Sequence, residues 1–513
     1  MIKIKYLSNK KIKKMTVSLI VSISIIAGLV SVNNLNIYGS NIENEIPEIE
    51  DEINKNESEI INNENEELNV NKDNDEILDS DSEEDFLNKE KVRDIKSDPD
   101  NPSVTIGAVG EVLMHSAVLN GGMTDSGEYD YDYIFDYLRD DISKLDYAIA
   151  DMEGTLAGEP YTGYPLFSAP DAVAKAIAAA KFDMAVTSNN HMLDRGKDGL
   201  IRTIDVLRNQ GLETIGGRKS AEEDKFIMKV INGIKVAFSS FSYETIRTDG
   251  HKNLNGIPIP KDVEDILDTF SLEEQYIPDD IVKLQTRAKE MKDAGADLVV
   301  FFMHWGTEYL DDEDIFAVRY SQALADAGVD LCLNCGPHVI WPVRMIKSSD
   351  GNHEMLSFFS LGNIVSDQYY SIGDSNGRCE DGILGVARYE KDQNGNMNLT
   401  DAGYIATYCY KVAIGYDMHR NHIIPVEQAL ENPEKFEISA DIGLIQASKD
   451  RTATIMSRNT LNGFPLQNFK HLPDSWKKSD NTHTYDPEID DKKVLPIVRN
   501  AEGVEVQGPF KIE

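Results

Sequence analysis

The chain has 513 residues, 41% of them hydrophobic, and a formal net charge of −38. That length suits two or three domains with sizeable cores. The charge excludes nucleic-acid binding through phosphate contacts, and it sets the chain against any polyanion unless cations intervene.

The charge is unevenly spread. Residues 1–40 carry six lysines and no acid, and residues 41–100 carry 23 acids against six bases. The lysines precede MTVSLIVSISIIAGLVSV at 15–32, a run without charge. At about 1.5 Å per residue this run reaches ~27 Å, near the thickness of a bilayer core. Residues 1–40 therefore read as a single-pass membrane anchor, with a cleaved signal peptide and a secreted product as the alternative. Lysines on the N-terminal side put that end in the cytoplasm and the main domain outside. Residues 41–100 contain one aromatic side chain, Phe86. They cannot bury enough apolar area to offset chain entropy, so they read as an acidic, disordered linker.

From 103 the pattern changes to short apolar runs alternating with amphipathic stretches. Strands are expected at 103–110, 147–153, 182–188, 212–217, 234–243, 296–306, 329–336, 355–363 and 382–390. Helices are expected at 133–145, 171–181, 197–210, 281–295 and 315–328. A polar insertion interrupts the rhythm near 245–280. This alternation predicts a layered α/β core. It fades after 410, so residues 101–410 form the main domain. Residues 411–513 form a C-terminal extension that packs on the core or is partly ordered.

Polar ligands in such folds come from loops at the carboxyl ends of strands. Glu111 follows the first strand, with His115 four residues on. Asp151 and Glu153 follow the second. SNNHMLDRG follows the third and supplies Asn189, Asn190, His191 and Asp194. HWGTE supplies His304 and Glu308, CGPH supplies His338, and FFSLGN ends at Asn363. Six strand ends carrying carboxylate, amide or imidazole point to one shared mouth, with the donor mixture that divalent manganese, iron or zinc takes. The structural alternative stands beside each residue: a helix cap, a satisfied histidine or a turn. For Asp194 and Arg195 that alternative is preferred, as braces of the loop. Cys332 and Cys335 form one C-x-x-C. Without a second pair it is weak evidence for zinc, and two cysteines at a strand end is the simpler reading.

The blocks GEVLMH, DMEGT, SNNHMLDRG, HWGTEY, CGPHV and FSLGNIVSDQ resemble, in order and spacing, the CapA family of poly-γ-glutamate capsule synthesis proteins. The resemblance covers roughly 103–410. It implies a four-layer α/β/β/α sandwich of the calcineurin-like metallophosphoesterase type, with a membrane-anchored extracytoplasmic domain. It also implies a part in making, exporting or anchoring poly-γ-glutamate or another anionic cell-surface polymer, beside membrane-bound synthetase subunits. Carried over residue by residue, Glu111, Glu153, Asn190, His304 and His338 would hold metal. His191 would be the catalytic general acid, and Asp151, Asn189, Glu308 and Asn363 would complete the binding site. Two departures bear on this. Glu111 stands where the family usually has aspartate, and Gly336-Pro337-His338 stands where it commonly has His-Pro-His. The site is therefore expected to hold two ions, one or none. A secreted metal-dependent phosphoesterase and a non-catalytic polymer-binding module are the alternatives.

Overall fold

The computed structural model describes residues 102–369 and 371–491, with two further short strands at 498–499 and 505–506. The expected anchor at 1–40 and linker at 41–100 lie outside the described residues. Among the described residues no helix is long and apolar enough to cross a membrane.

The strands in chain order are β1 Ser103–Val112, β2 Tyr147–Asp151, β3 Met184–Val186, β4 Glu213–Ile215, β5 Ile227–Ile231, β6 Ile234–Thr248, β7 His251–Leu254, β8 Ile257–Pro258 and β9 Thr269–Ser271. There follow β10 Leu298–His304, β11 Leu331–Leu333, β12 Ile340–Lys347, β13 Glu354–Leu361, β14 Asn363–Val365, β15 Asp381–Lys391, β16 Met397–Gly415, β17 Met418–Pro425, β18 Gln467–Asn468 and β19 Thr482–Thr484. The helices are α1 Ser116–Gly121, α2 Arg139–Ile142, α3 Ala172–Ala179, α4 Gly196–Asn209, α5 Ile277–Asp293, α6 Ile315–Asp326, α7 Val426–Glu431 and α8 Ile442–Met456.

Two mixed sheets form. The first runs β17-β16-β15-β1-β2-β3-β4, and the second runs β12-β13-β11-β10-β6-β5-β19. In the first, a parallel half from β1 to β4 adjoins an antiparallel half from β15 to β17. In the second, a parallel centre carries antiparallel flanks. Alternation along the strands sorts side chains between two faces. On β10, Leu298, Val300 and Phe302 join Ile106, Ala108, Tyr147 and Ile149 in the core between the sheets. Val299, Phe301 and Met303 face the other way, against Leu284 and Ala288 of α5 and Tyr320 and Leu324 of α6. The outer face of the first sheet packs Val109, Ala148, Ala150 and Ala185 against Val173 and Ile177 of α3 and Val206 and Leu207 of α4. The order of layers is α/β/β/α. A fully buried side chain such as Phe302 stabilises this core by about 2 kcal/mol.

Three differences from the sequence reading have physical causes. The helix expected at 133–145 shrinks to α2. Asp130 Oδ1 accepts the Asp132 amide at 3.0 Å, a local bond that favours a turn, and the segment continues as short turns around buried Tyr131 and Phe135. The polar insertion at 245–280 instead holds the β7–β8 hairpin and β9. In the C-terminal extension Leu472 and Trp476 are buried, and β19 extends the second sheet beside β5. The boundary expected at 410 falls inside β16. Cys332 and Cys335 are free thiols and fully buried.

Candidate functional site

The parallel strands of both sheets end at one place. Glu111 lies on β1, in register with Asp151 on β2 and with Asn363 on β14. Glu153 follows β2, and Asn189, Asn190 and His191 follow β3. His304 closes β10, and His338 sits between β11 and β12. Glu111, Asp151, Glu153, Asn190, His191, His304, His338 and Asn363 are all buried. Glu308 is exposed beyond the end of β10, and its carboxylate bears on Glu153 and His304 and hydrogen-bonds Tyr309.

Glu111, Glu153 and His338 each offer a ligand atom within 4.8 Å of one another. His338 Nδ1 lies 3.8 Å from Glu111 Oε1 and 3.9 Å from Glu153 Oε2. Asn363 Oδ1 is 3.2 Å from the same nitrogen, a further oxygen facing the point the two carboxylates face. On the other side of Glu153, His304 Nε2 is 4.0 Å from Oε1. His304 Nε2 also faces Asn190 Oδ1 at 3.1 Å, and its Nδ1 faces Asp151 Oδ2 at 3.3 Å. Tyr243 stacks on the His304 ring at 6.0 Å.

The electrostatics explain what this cluster lacks. Burial lowers His304 to about 3, so its imidazole is neutral. Burial raises Asp151 to about 8. Burial, then the neighbouring Glu111 and Asp151 carboxyls, push Glu153 well above the usual carboxylate range. Within this cluster four buried carboxyl oxygens have no hydrogen-bond partner: Glu111 Oε2, Asp151 Oδ1, and both oxygens of Glu153. Orphaned buried acceptors are costly. A neutral imidazole has one N–H. When His304 gives it to Asp151, the Nε2 lone pair and Asn190 Oδ1 face each other with no proton between them. A divalent cation would satisfy all these groups together, and the donor set fits one.

His191 sits beside the cluster as half of a dyad. Its Nδ1 is 2.8 Å from Asp194 Oδ2, which leaves Nε2 as the atom that exchanges a proton. Asp194 Oδ2 also accepts the Phe167 amide at 2.7 Å, and the Phe167 ring meets the imidazole edge-on at 4.7 Å. Asn189 hydrogen-bonds the Asp151 carboxyl. Its Nδ2 donates to Met152 O at 2.9 Å and its Oδ1 accepts the His191 amide at 3.1 Å, so it braces the loop. Arg195 braces the same loop through Thr162 Oγ1 at 2.6 Å.

The first departure is answered by the second. Gly336 has φ +119°, and a Cβ there would stand 2.1 Å from Trp305 O. The backbone therefore admits no side chain at 336. Its amide instead donates to Glu111 Oε1 at 2.6 Å, a reach the longer acid provides. Sequence reasoning missed Asn255, whose Nδ2 is 3.2 Å from His191 Nδ1. The Asn255-Gly256 pair at the β7–β8 turn, both with positive φ, is a hairpin signal that was there to be read. It also missed Tyr243 and Phe167, which carry no signal beyond being aromatic.

The family model described as "Bacterial capsule synthesis protein PGA_cap" matches residues 105–368, a stretch that contains every candidate residue. The chain is 28% identical over 307 residues to "Capsule biosynthesis protein CapA" of Bacillus anthracis, covering 58% of this chain and 67% of that protein. It is 26% identical over 229 residues to "PGA biosynthesis protein CapA" of Bacillus subtilis strain 168, covering 44% and 52%. The chain thus spans about two thirds of one relative and about half of the other. Among solved structures, the Haemophilus influenzae NAD nucleotidase NadN aligns at a TM-score of 0.38 and 13% identity, over 73% of this chain and 65% of that one.

Proposed function

The chain belongs to the bacterial capsule synthesis protein family, and on that premise we propose that it acts in capsule synthesis as a tethered extracytoplasmic protein with divalent-ion-dependent phosphoester chemistry. The observation that carries the chemistry is the set of four unpartnered carboxyl oxygens between His304 and His338, with the His191–Asp194 dyad beside it. The curated relatives named for capsule and PGA biosynthesis support poly-γ-glutamate as the polymer served. The basic and apolar residues 1–40 would hold the domain at a membrane, and the acidic linker would set its distance.

Glu111, Glu153 and His338 would hold one ion, and Glu153, Asn190 and His304 a second, with Asp151 orienting His304. Manganese, iron or zinc bound there would supply Lewis-acid polarisation of a phosphoryl oxygen. The chain's own residues do the rest. Asp151 fixes the His304 imidazole. A water oxygen bonds phosphorus and releases its proton to solvent, and the ester P–O bond breaks. The departing oxygen takes the proton held on His191 Nε2, while Asp194 keeps that ring in place.

The test is replacement of the chromosomal copy with Glu153→Gln, reading surface polymer and the metal content of the purified full chain together. Loss of both supports the proposal. Normal polymer from a variant that binds no metal would refute the metal-dependent role.

A further inference from the structure

A second set of side chains surrounds the mouth. Tyr164, Leu166, Ile246, Leu310 and Tyr369 are large, and each is between 42% and 78% exposed. Each belongs to a segment that touches the site. Leu166 precedes Phe167, which is wedged between His115 at 5.3 Å and His191 at 4.7 Å, and Tyr164 meets the same phenyl ring at 6.4 Å. Ile246 lies on β6 three residues beyond Tyr243, and its carbonyl accepts Asn253 Nδ2 at 3.0 Å in the hairpin that carries Asn255. Leu310 follows Tyr309, whose ring lies 5.9 Å from His338. Tyr369 follows Gln368, which bonds Asn363 at 2.8 Å and Tyr309 at 3.3 Å.

The opposite end of the sheets is different. The turns entering the parallel strands carry Leu145, Phe182, Leu212 and Val329, and all four are buried. Single exposed apolar residues are ordinary on any surface. Here five of the exposed ones stand on segments that touch one buried acidic site. Such a rim marks a binding surface.

We propose that the substrate is an amphiphilic phosphoester, whose anionic head enters beside Glu153 and His338 while its hydrocarbon chain lies along this rim. The inference rests on the phosphoester reading above and names its substrate class. A polyglutamate segment suits the rim poorly. Its carboxylates would lose water against tyrosine, leucine and isoleucine without gaining a partner. A small soluble phosphoester would leave the rim unused. A head of one chemistry beside a tail of another matches both surfaces at once.

The experiment titrates butyl, hexyl and octyl phosphate into the full chain in lipid nanodiscs with saturating manganese, subtracting empty nanodiscs. Four additional methylenes on a half-open apolar surface should tighten binding by on the order of tenfold or more. The double variant Tyr164→Ser, Ile246→Ser alters only exposed side chains. It should bring the octyl-to-butyl ratio towards one and leave manganese affinity unchanged. Equal affinities for butyl and octyl phosphate in the parent would overturn the amphiphile and leave the phosphoester reading standing. A ratio unmoved in the double variant would overturn the assignment to this rim. If no alkyl phosphate binds although manganese does, both readings fall.

Discussion

Replacing Gly336 with alanine asks whether the departure at this position is a loss or a requirement. The structure makes it a requirement. At φ +119° an L-residue is strained by about 1–3 kcal/mol. The added methyl would also stand 2.1 Å from Trp305 O, 2.8 Å from Trp305 N and 2.9 Å from Trp305 C, all backbone atoms that cannot swing aside. Overpacking of this kind costs a further ~1–3 kcal/mol. The sum, about 4 kcal/mol, corresponds to a fall of about 1 M in the urea midpoint for a domain this large. Fluorescence of the buried Trp305 and Trp341 reports it. Gly395→Ala is the control. It also has positive φ, at +87°, but nothing lies within 4 Å of its added methyl. It should cost only about 1–2 kcal/mol, from backbone strain alone. A Gly336→Ala midpoint no lower than that of Gly395→Ala would refute the steric argument, and with it the claim that Glu111 and Gly336 are a matched pair.

Glu153→Gln should stabilise the metal-free chain near neutral pH by removing an unpartnered buried acid. It should also abolish the stabilisation of about 2.7 kcal/mol expected of the parent at a manganese concentration 100 times its Kd, read as a thermal shift. Asp194→Asn should lower turnover of any phosphoester the chain cleaves by about 100-fold or more while leaving metal content unchanged, because the His191 proton relay is disturbed and no proposed metal ligand is removed. Asp146 is buried, and burial raises it to about 6. Its folded value lies above its unfolded one, so its contribution to stability is present below about pH 4 and is lost as pH rises through 6. Urea unfolding from pH 4 to 7 should therefore show Asp146→Asn gaining on the parent by up to about 3 kcal/mol, with no further gain above. A constant difference across that range would rule out the linkage.

The strand ends were legible because a parallel strand buried on both faces reads as an apolar run, and the first polar residue after it stands out. LVVFFMH and MAVTSNNH show this directly. What was illegible depended on contacts distant in sequence. Nothing near Gly336 in the chain announces Trp305, whose carbonyl forbids a side chain there. Nothing in the polar stretch at 245–280 announces His191, although the Asn255-Gly256 turn was visible as a hairpin. The helix expected at 133–145 failed for a local reason, because Asp130 just before it bonds the backbone in a turn. Asn189 and Asn190 are adjacent and chemically identical, yet one braces the loop and the other faces His304. Only the path of the backbone separates them.

The first sheet places β1 between β2 and β15, and Ser103 at its start pairs with Glu390. During synthesis β1 emerges early and gains β2 soon after. Its other edge waits until nearly three hundred more residues have been added. At ordinary elongation rates that delay is on the order of 15 s to a minute. Through that interval β1 presents an open row of backbone donors and acceptors flanked by apolar side chains, a template for any passing strand. Every strand of the second sheet except β19 is made within the gap. The chain therefore builds most of one sheet of its sandwich while the other is still incomplete, so this protein depends on being shielded from its own copies until β15 arrives.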